Sequence, residues 1–170
     1  MGLPIPPALV GLLAATPVLA TPVVEVIGTP SADTIVTVRP LASSTSRQGL
    51  QQFVGISGAN SGARGLSMNR VVIPPGGRAA AHRHVGSESA IYLLAGTVQT
   101  FYGTCLEKTV INRAGDFLFI PAGVPHRPVN LSNSEAAIAI VARNDANEQE
   151  HVALHDGPAT PGTGCPAPSP

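Results

Sequence analysis

Charged residues are scarce in this sequence. Only 12% of its 170 residues are Asp, Glu, Lys or Arg, the ten basic residues balance the ten acidic ones, and Lys108 is the only lysine. Nucleic acids and anionic membrane surfaces are recognised through clusters of basic residues, so the composition argues against both as partners.

Good helix-forming residues are also few. The chain contains 18 Gly and 17 Pro, which break helices, and little Lys or Glu to offset them. Short apolar and β-branched runs bounded by turn residues recur instead, over 68–73, 90–94, 97–102, 106–111, 117–120 and 136–142. Many short strands at this spacing predict an all-β sandwich, jelly roll or barrel, and the length suits a single domain.

Further strands are expected on both sides of this region. They are predicted at 23–27, 34–38, 53–56 and 151–154. From residue 156 onward Gly, Pro, Thr, Ser and Ala dominate, and such a segment buries too little apolar surface to offset the entropy of ordering it. We therefore predict a barrel domain over 21–155 and a disordered tail over 156–170.

The first twenty residues form a candidate signal peptide. A mostly apolar run over 8–19 is followed by Ala20, the small residue that a signal peptidase requires, and the run is too short for a membrane span. A disordered N-terminal extension is the alternative, because no Lys or Arg lies near Met1 and four prolines interrupt the segment. Export to the periplasm or the exterior predicts a mature chain that begins near Thr21, which N-terminal sequencing checks. A cytoplasmic protein is the alternative.

Two cysteines, Cys105 and Cys165, are too few for a disulfide scaffold. In an exported chain the pair closes one bridge that ties the tail to the barrel. The other interpretation is a buried, unreactive Cys105 and a free Cys165. Neither cysteine has the close partner that is typical of a zinc or redox motif.

Three histidines carry the candidate chemistry. His82 and His84 follow a Pro-Gly turn in a segment where a strand is expected, and side chains two apart on a strand share a face. Both imidazoles therefore point the same way, as two ligands of one metal ion must. Glu88 follows four residues later and His126 lies further downstream. This set suits one divalent transition metal, such as iron, manganese, nickel or zinc, rather than calcium.

The spacing around these residues resembles the two motifs of the cupin family. The segment that resembles the first motif starts at Gly76. After five residues it continues with His82-x-His84, three residues, Glu88 and then Gly96. The segment that resembles the second motif, at every fixed position, starts at Gly115. After five residues it continues with Pro121-x-Gly123, two residues, His126, three residues and Asn130. The resemblance covers 76–130 and implies a single-domain cupin double-stranded β-helix, a jelly-roll barrel. It also implies His82, His84, Glu88 and His126 as metal ligands.

Glu88 departs from the family's pattern. Seven residues separate it from Gly96 where the pattern has six, so counting back from Gly96 places the ligand at Ser89. Neighbouring strand side chains face opposite ways, and Glu88 therefore points outward unless a bulge re-aims it. Both a four-ligand site and a three-histidine site stay open. The second resembles the three-histidine cupins, which include thiol and ring-cleaving dioxygenases.

The resemblance implies a small-molecule metalloenzyme of the dioxygenase, decarboxylase or isomerase type. A non-catalytic ligand-binding or sensor cupin with a structural metal is the alternative, because a fold does not decide a function. Tyr92 and Arg70 are candidate substrate-binding residues through their hydroxyl and guanidinium groups, although both residue types more often serve in packing or on the surface. Cupin barrels also dimerise by pairing edge strands, so a homodimer is a further expectation.

Overall fold

A computed structural model describes residues 22–147, 149 and 151–156. The expected signal peptide and residues 157–170 of the expected tail lie outside them. In the described residues nearly all regular structure is β-strand, with one helical turn, α1 (Gly58–Ser61). This confirms the all-β prediction. No helix in this part of the chain is long and apolar enough to cross a bilayer.

The strands follow the predicted runs closely. In chain order they are β1 (Val24–Ile27), β2 (Thr37–Pro40), β3 (Ser44–Thr45), β4 (Gln51–Ile56), β5 (Ser67–Ile73), β6 (His82–His84), β7 (Ser89–Ala95), β8 (Thr97–Tyr102), β9 (Lys108–Arg113), β10 (Phe117–Ile120), β11 (His126–Asn130), β12 (Ala137–Arg143) and β13 (Val152–Leu154). The runs predicted at 97–102 and 117–120 agree in both bounds. The strand predicted at 34–38 begins three residues later, at Thr37.

Two antiparallel sheets form the body of the molecule. One contains six strands in the order β10-β7-β12-β5-β4-β3, and the other contains five in the order β13-β6-β11-β8-β9. Strands β1 and β2 form a separate hairpin. The two large sheets pack face to face as a jelly roll, and among the described strands they remain two separate ladders rather than one closed ring. This architecture confirms the predicted cupin-type fold.

An apolar core closes one end of the space between the sheets. Ile73, Leu93 and Ala137 come from the six-stranded sheet and Val98 comes from the other. Each is at most 8% exposed. Val98 lies opposite Asn130 in the β8–β11 register, whereas His126 begins β11 four residues away. The apolar core therefore fills one end of the interior and leaves the histidines at the other.

Asn130, the last fixed position of the second motif, is buried at the end of β11. The two N–H groups of its side-chain nitrogen are shared among three carbonyl oxygens, those of Ile73 at 3.1 Å, Pro74 at 3.1 Å and Glu135 at 2.7 Å. Its side-chain oxygen accepts a hydrogen bond from the backbone N–H of Ser132 at 3.0 Å. The residue thus ties together the ends of three segments. A side-chain amide fits this position because it offers both donors and an acceptor.

Candidate metal centre

Strands β6 and β11 bring the three histidines together. His82 and His84 are each 2% exposed, and Arg83 between them is exposed, so the predicted shared face is confirmed. His126 pairs directly with His82 where the two strands meet. It is 4% exposed. Two short strands therefore aim three buried imidazoles at one point.

The three rings are close enough to share one ion. Their centroids are 4.2 Å apart for His82 and His126, 5.1 Å for His82 and His84, and 5.5 Å for His84 and His126. One nitrogen from each ring lies within 4.8 Å of the others. Imidazole nitrogens in such a cluster are typical ligands of divalent transition metals.

Backbone carbonyls fix the orientation of two rings. Nδ1 of His82 lies 2.9 Å from the carbonyl oxygen of Ala80, and Nδ1 of His126 lies 2.9 Å from that of Val124. A carbonyl only accepts, so each Nδ1 carries the proton and donates it. The lone pair is then left on Nε2, as a metal ligand requires. His82 and His126 therefore fit a metal ion without any change of tautomer.

Burial keeps all three imidazoles neutral. Loss of hydration lowers the pKa of His82 to about 3 and that of His126 to about 4. The pKa of His84 falls to about 2, first because of burial and then because of the nearby Arg143 guanidinium. Near pH 7 the rings hold lone pairs rather than extra protons, which is the state that binds a metal.

Arg143 is the unexpected member of the site. It ends β12, is only 7% exposed, and its Nη2 donates to Nε2 of His84 at 2.9 Å. Its Nε donates to Oγ of Ser89 at 3.0 Å. Nδ1 of His84 has no hydrogen-bond partner among the described residues. His84 is thus the one imidazole whose lone pair is already engaged by another side chain.

The structure does not bring Glu88 to the histidines. Glu88 is exposed, and its backbone N–H donates to Oδ1 of Asn144 at 2.8 Å. Ser89, at 1% exposure, faces the interior instead and lies opposite Arg143 in the strand register. The extra residue before Gly96 therefore turns Glu88 outward, as strand alternation requires. The three-histidine version of the site agrees with this arrangement.

A small cavity lies between the sheets beside the histidines. Its volume is about 80 Å³, and His82, His126 and Arg143 form part of its wall. Most of the remaining wall is aliphatic. Three residues that line it, Gln48, Thr100 and Asn112, each have a buried side-chain oxygen with no hydrogen-bond partner within the described chain. The cavity therefore combines an apolar wall with a few groups that can orient a polar ligand.

A wider opening shares part of its wall with this cavity. It measures about 660 Å³, and it shares Thr100, Leu118, Ile120 and His126 with the inner cavity. Tyr102 and Lys108 line its outer part. Strands β9 and β10, each an edge of its own sheet, contribute residues to this opening. His126 therefore borders both the inner cavity and the wider opening.

Tyr92 and Arg70 lie on the outer face of the six-stranded sheet. Their neighbours along the chain, Ile91 and Val71, line the inner cavity, so strand alternation points Tyr92 and Arg70 away from it. Tyr92 packs on the ring of Phe117, with centroids 4.7 Å apart. The Arg70 guanidinium lies 3.9 Å from the centre of the Phe53 ring. The fold does not place either predicted substrate-binding residue at the cavity.

Cys105 is disulfide-bonded, and the described residues contain no free cysteine. The interpretation of Cys105 as a free buried thiol is therefore wrong. It lies in the loop between β8 and β9, where its backbone N–H donates to Oε2 of Glu107 at 3.0 Å. The only other cysteine of the chain, Cys165, lies outside the described residues.

Comparison with known proteins agrees with this geometry. A family model described as the cupin domain matches residues 69–142. Germin-like protein 8-14 of Oryza sativa subsp. japonica is 33% identical over 99 residues, which are 56% of this chain and 44% of the rice protein. Germin-like protein subfamily 3 member 1 of Arabidopsis thaliana is 28% identical over 98 residues. The chain spans less than half the length of these curated relatives.

Solved structures share the fold. The oxalate decarboxylase formate complex of Lactobacillus farciminis aligns with a TM-score of 0.57 at 21% identity, over 67% of this chain and 33% of the other. An uncharacterised double-stranded β-helix protein of Klebsiella pneumoniae aligns with a TM-score of 0.54 at 18% identity, over 65% and 88%. An oxalate oxidase with bound glycolate gives 0.54 at 23%, over 64% and 56%. The family match shows that residues 69–142 form a cupin domain, and the solved structures share the jelly-roll fold of the two sheets.

Proposed function

We propose that this protein is a metal-dependent cupin that acts on a small molecule. His82, His84 and His126 hold one divalent transition metal ion, with iron, manganese, nickel and zinc as the candidates. The main observation in support is the cluster of three buried, neutral imidazoles, two of which are oriented by backbone carbonyls. When bound, such an ion polarises a ligand oxygen or activates dioxygen.

The ligand count favours a catalytic centre over a structural one. Structural transition-metal sites are usually closed by four protein ligands, whereas catalytic sites keep a position open for substrate or water. Within the described residues only three side chains converge, and Glu88 points outward. The open side adjoins the inner cavity, of which His82 and His126 form part of the wall. This arrangement supports an enzyme over the alternative, a ligand-binding cupin with a structural metal.

The cavity limits the size and chemistry of the substrate. A volume of about 80 Å³ admits a molecule of only a few heavy atoms. Gln48, Thr100 and Asn112 offer polar atoms to it. Two of the similar structures are an oxalate decarboxylase and an oxalate oxidase. We therefore favour a decarboxylase or oxidase that acts on a small organic acid over a sugar-phosphate isomerase, for which the chain offers only Lys108.

Metal content tests the site. Protein incubated with each candidate ion and then desalted is expected to retain close to one ion per chain by elemental analysis. His82→Ala and His126→Ala each remove one of the two best-oriented ligands, so we expect both to lose the ion. His151→Gln is the matched control, because His151 is exposed and bonded to Asp145 rather than to the cluster. Wild-type protein that retains none of the four ions would exclude the proposal.

A turnover measurement distinguishes an enzyme from a non-catalytic binding protein. The metal-loaded protein is expected to consume oxygen or release carbon dioxide with at least one compound from a panel of small acids, phenols, thiols and diketones. His126→Ala serves as the inactive reference. Binding of a panel compound with no turnover under either readout would instead support the non-catalytic alternative.

We also propose that the chain is exported. The apolar segment over 8–19 followed by Ala20 supports a signal peptide over residues 1–20. The disulfide at Cys105 points the same way, since disulfides persist in oxidising compartments. On this proposal residues 21–155 form the mature barrel and 156–170 a tail. A native protein whose sequence starts at Met1 would contradict it.

A further inference from the structure

The described chain leaves the barrel at the wall of the wider opening. His155 follows β13, and its backbone N–H donates to the carbonyl oxygen of Ala81 at 2.9 Å. Its Nε2 lies 2.8 Å from the carbonyl oxygen of Thr104. Because a carbonyl only accepts, this nitrogen carries the proton and donates it. Thr104 lines the wider opening, so the chain is fixed at that wall just before residue 156.

The loop between β8 and β9 offers a second attachment point beside the first. Cys105 directly follows Thr104 and is disulfide-bonded. Cys165 is the only other cysteine of the sequence, so a bond within one chain joins these two. Residues 156–165 would then start and end at neighbouring residues of one loop. We call this segment the strap; its residues 157–165 lie outside the described ones.

The loop that carries Cys105 is held firmly. Leu106 is 0% exposed and has a left-handed backbone, with a φ of +56°. A non-glycine residue keeps that conformation only where its surroundings fix it. The backbone N–H of Leu106 donates to the carbonyl oxygen of Gly103 at 3.0 Å, and that of Cys105 donates to Oε2 of Glu107 at 3.0 Å. One end of the strap is therefore attached to a fixed point.

The strap is long enough to cross the opening. Cys165 lies ten residues beyond His155, and an extended chain spans at most about 35 Å over that distance. A segment that returns to its starting point reaches about half as far, roughly 17 Å. A compact space of 660 Å³ is only about 9 Å across. The strap can therefore pass over the opening and return to Cys105.

The composition of the strap suits the wall that it would cover. Residues 157–164 are Gly, Pro, Ala and Thr only, with no charge and no large side chain. Phe119, Pro121, Val124 and Pro125 line the opening with apolar groups. An uncharged segment packs on such groups without burying a charge, and its two prolines reduce the entropy lost on ordering.

We propose that the strap covers the wider opening, held at one end by His155 and at the other by a Cys105–Cys165 disulfide. It shields the wall of the opening, including Tyr102 and His126, from reagents in solution. Loss of the disulfide leaves only the first attachment, so the strap then spends most of its time away from the wall. No metal ion is needed for this closure, which goes beyond the proposed function.

Nitration of tyrosine measures the cover. The chain has two tyrosines: Tyr102 lines the opening, whereas Tyr92, which packs on Phe117 outside the cavity, is an internal reference. The full chain is compared with Cys105→Ser plus Cys165→Ser, since neither form has a free thiol to consume tetranitromethane. We expect release to raise the nitration rate of Tyr102 relative to Tyr92 about fivefold or more, because only the uncovered fraction reacts.

Two further measurements separate covering from loss of the cross-link. In protein kept free of reductant, peptide mapping should find Cys105 joined to Cys165 of the same chain. A strap lengthened by about ten Gly and Ser residues after Gly162 keeps the disulfide but holds less tightly to the wall, so Tyr102 should react at an intermediate rate. Circular dichroism checks that each variant keeps its strands.

Three results would overturn the proposal. The first is equal reaction of Tyr102 in both forms, and the second is Cys105 joined to a second copy of the chain. The third is protection of Tyr102 that persists in the Cys105→Ser, Cys165→Ser variant and disappears on dilution, since a second copy then covers the opening instead. None of these results bears on metal binding, so the proposed metal site is tested separately.

Discussion

The chemistry of the site depends on keeping three imidazoles free of protons. Burial lowers their pKa values to between about 2 and about 4, against an ordinary value of 6.5. In the unfolded chain the same groups take up protons below pH 6.5, whereas in the folded, metal-free protein they do not. The unfolded state therefore gains protons first as the pH falls, and the folded state loses relative stability.

We predict that the free energy of unfolding of the metal-free protein falls as the pH drops from 6.5 to about 5, by roughly 2 kcal/mol for each imidazole. Urea unfolding in the presence of a chelator measures it. The acidic groups with lowered pKa values, Asp33 and Glu107, contribute only further down, below their ordinary values of 3.8 and 4.5. His82→Gln should flatten the dependence by about one third. A stability that stays constant over this range would contradict the burial argument.

Individual site residues differ in how far the sequence reveals them. The alternation of strand side chains was sufficient to place His82 and His84 on one face, whereas the spacing to Gly96 raised Ser89 as an alternative to Glu88 without deciding between them. Arg143 was missed, because it lies seventeen positions beyond His126 and reaches His84 only through the pairing of β12 with β7. Its signal was an arginine at the end of an otherwise apolar strand, the place where a buried charge needs a partner.

Among the strands, those with clear apolar runs were the most predictable. Strands β8 and β10 agree with the predicted bounds, whereas β3, with two residues, is too short for a periodic signal and was not predicted. Strand β6, with three residues, was expected from the preceding Pro-Gly turn. The strand β11 contains Pro128, which argues against a strand by propensity, yet it lies between β6 and β8. The motif spacing therefore indicated His126 as a ligand without predicting the strand that carries it.

Gly96, in the turn between β7 and β8, is required for a steric reason. Its φ is +88°, and a Cβ atom there would lie 2.8 Å from Cα of Ala137 in the apolar core. Gly115 has a similar φ of +97° but nothing within 4 Å. Comparing substitutions at Gly96 and Gly115 therefore distinguishes the cost of the left-handed backbone conformation from the cost of a steric clash.

We predict that Gly96→Ala lowers the free energy of unfolding by about 2 kcal/mol more than Gly115→Ala does, since only the first forces the core to move. Gly115→Ala should cost about 1–2 kcal/mol for the left-handed conformation alone. Urea unfolding of both variants measures the difference. Equal losses would show that the contact with Ala137 adjusts freely.

The chain as a whole presents an apolar outer face on its six-stranded sheet. Phe117 is 82% exposed, Phe119 59% and Leu94 47%, and β10, which carries both phenylalanines, is an edge strand. Contiguous exposed apolar side chains mark interaction surfaces, and an unpaired edge offers backbone hydrogen bonds to a second copy. The homodimer stays a prediction, and this face is where we place it.

Sedimentation velocity tests the dimer. We predict that the wild-type protein sediments as a dimer and that Phe117→Ser with Phe119→Ser shifts it to a monomer, because the double change removes both exposed phenylalanines of this face. Ile35→Ser is the control: Ile35 is 95% exposed but lies between β1 and β2, in the separate hairpin. A wild-type monomer at every concentration would contradict the prediction.

The central claim is that His82, His84 and His126 together hold one metal ion without Glu88. X-ray absorption spectroscopy of the loaded protein counts imidazole ligands around that ion. We predict three imidazoles per ion, and the same spectrum for Glu88→Gln, with oxygen from solvent or ligand completing the shell. Two or fewer imidazoles, or a shell that changes in Glu88→Gln, would contradict the account.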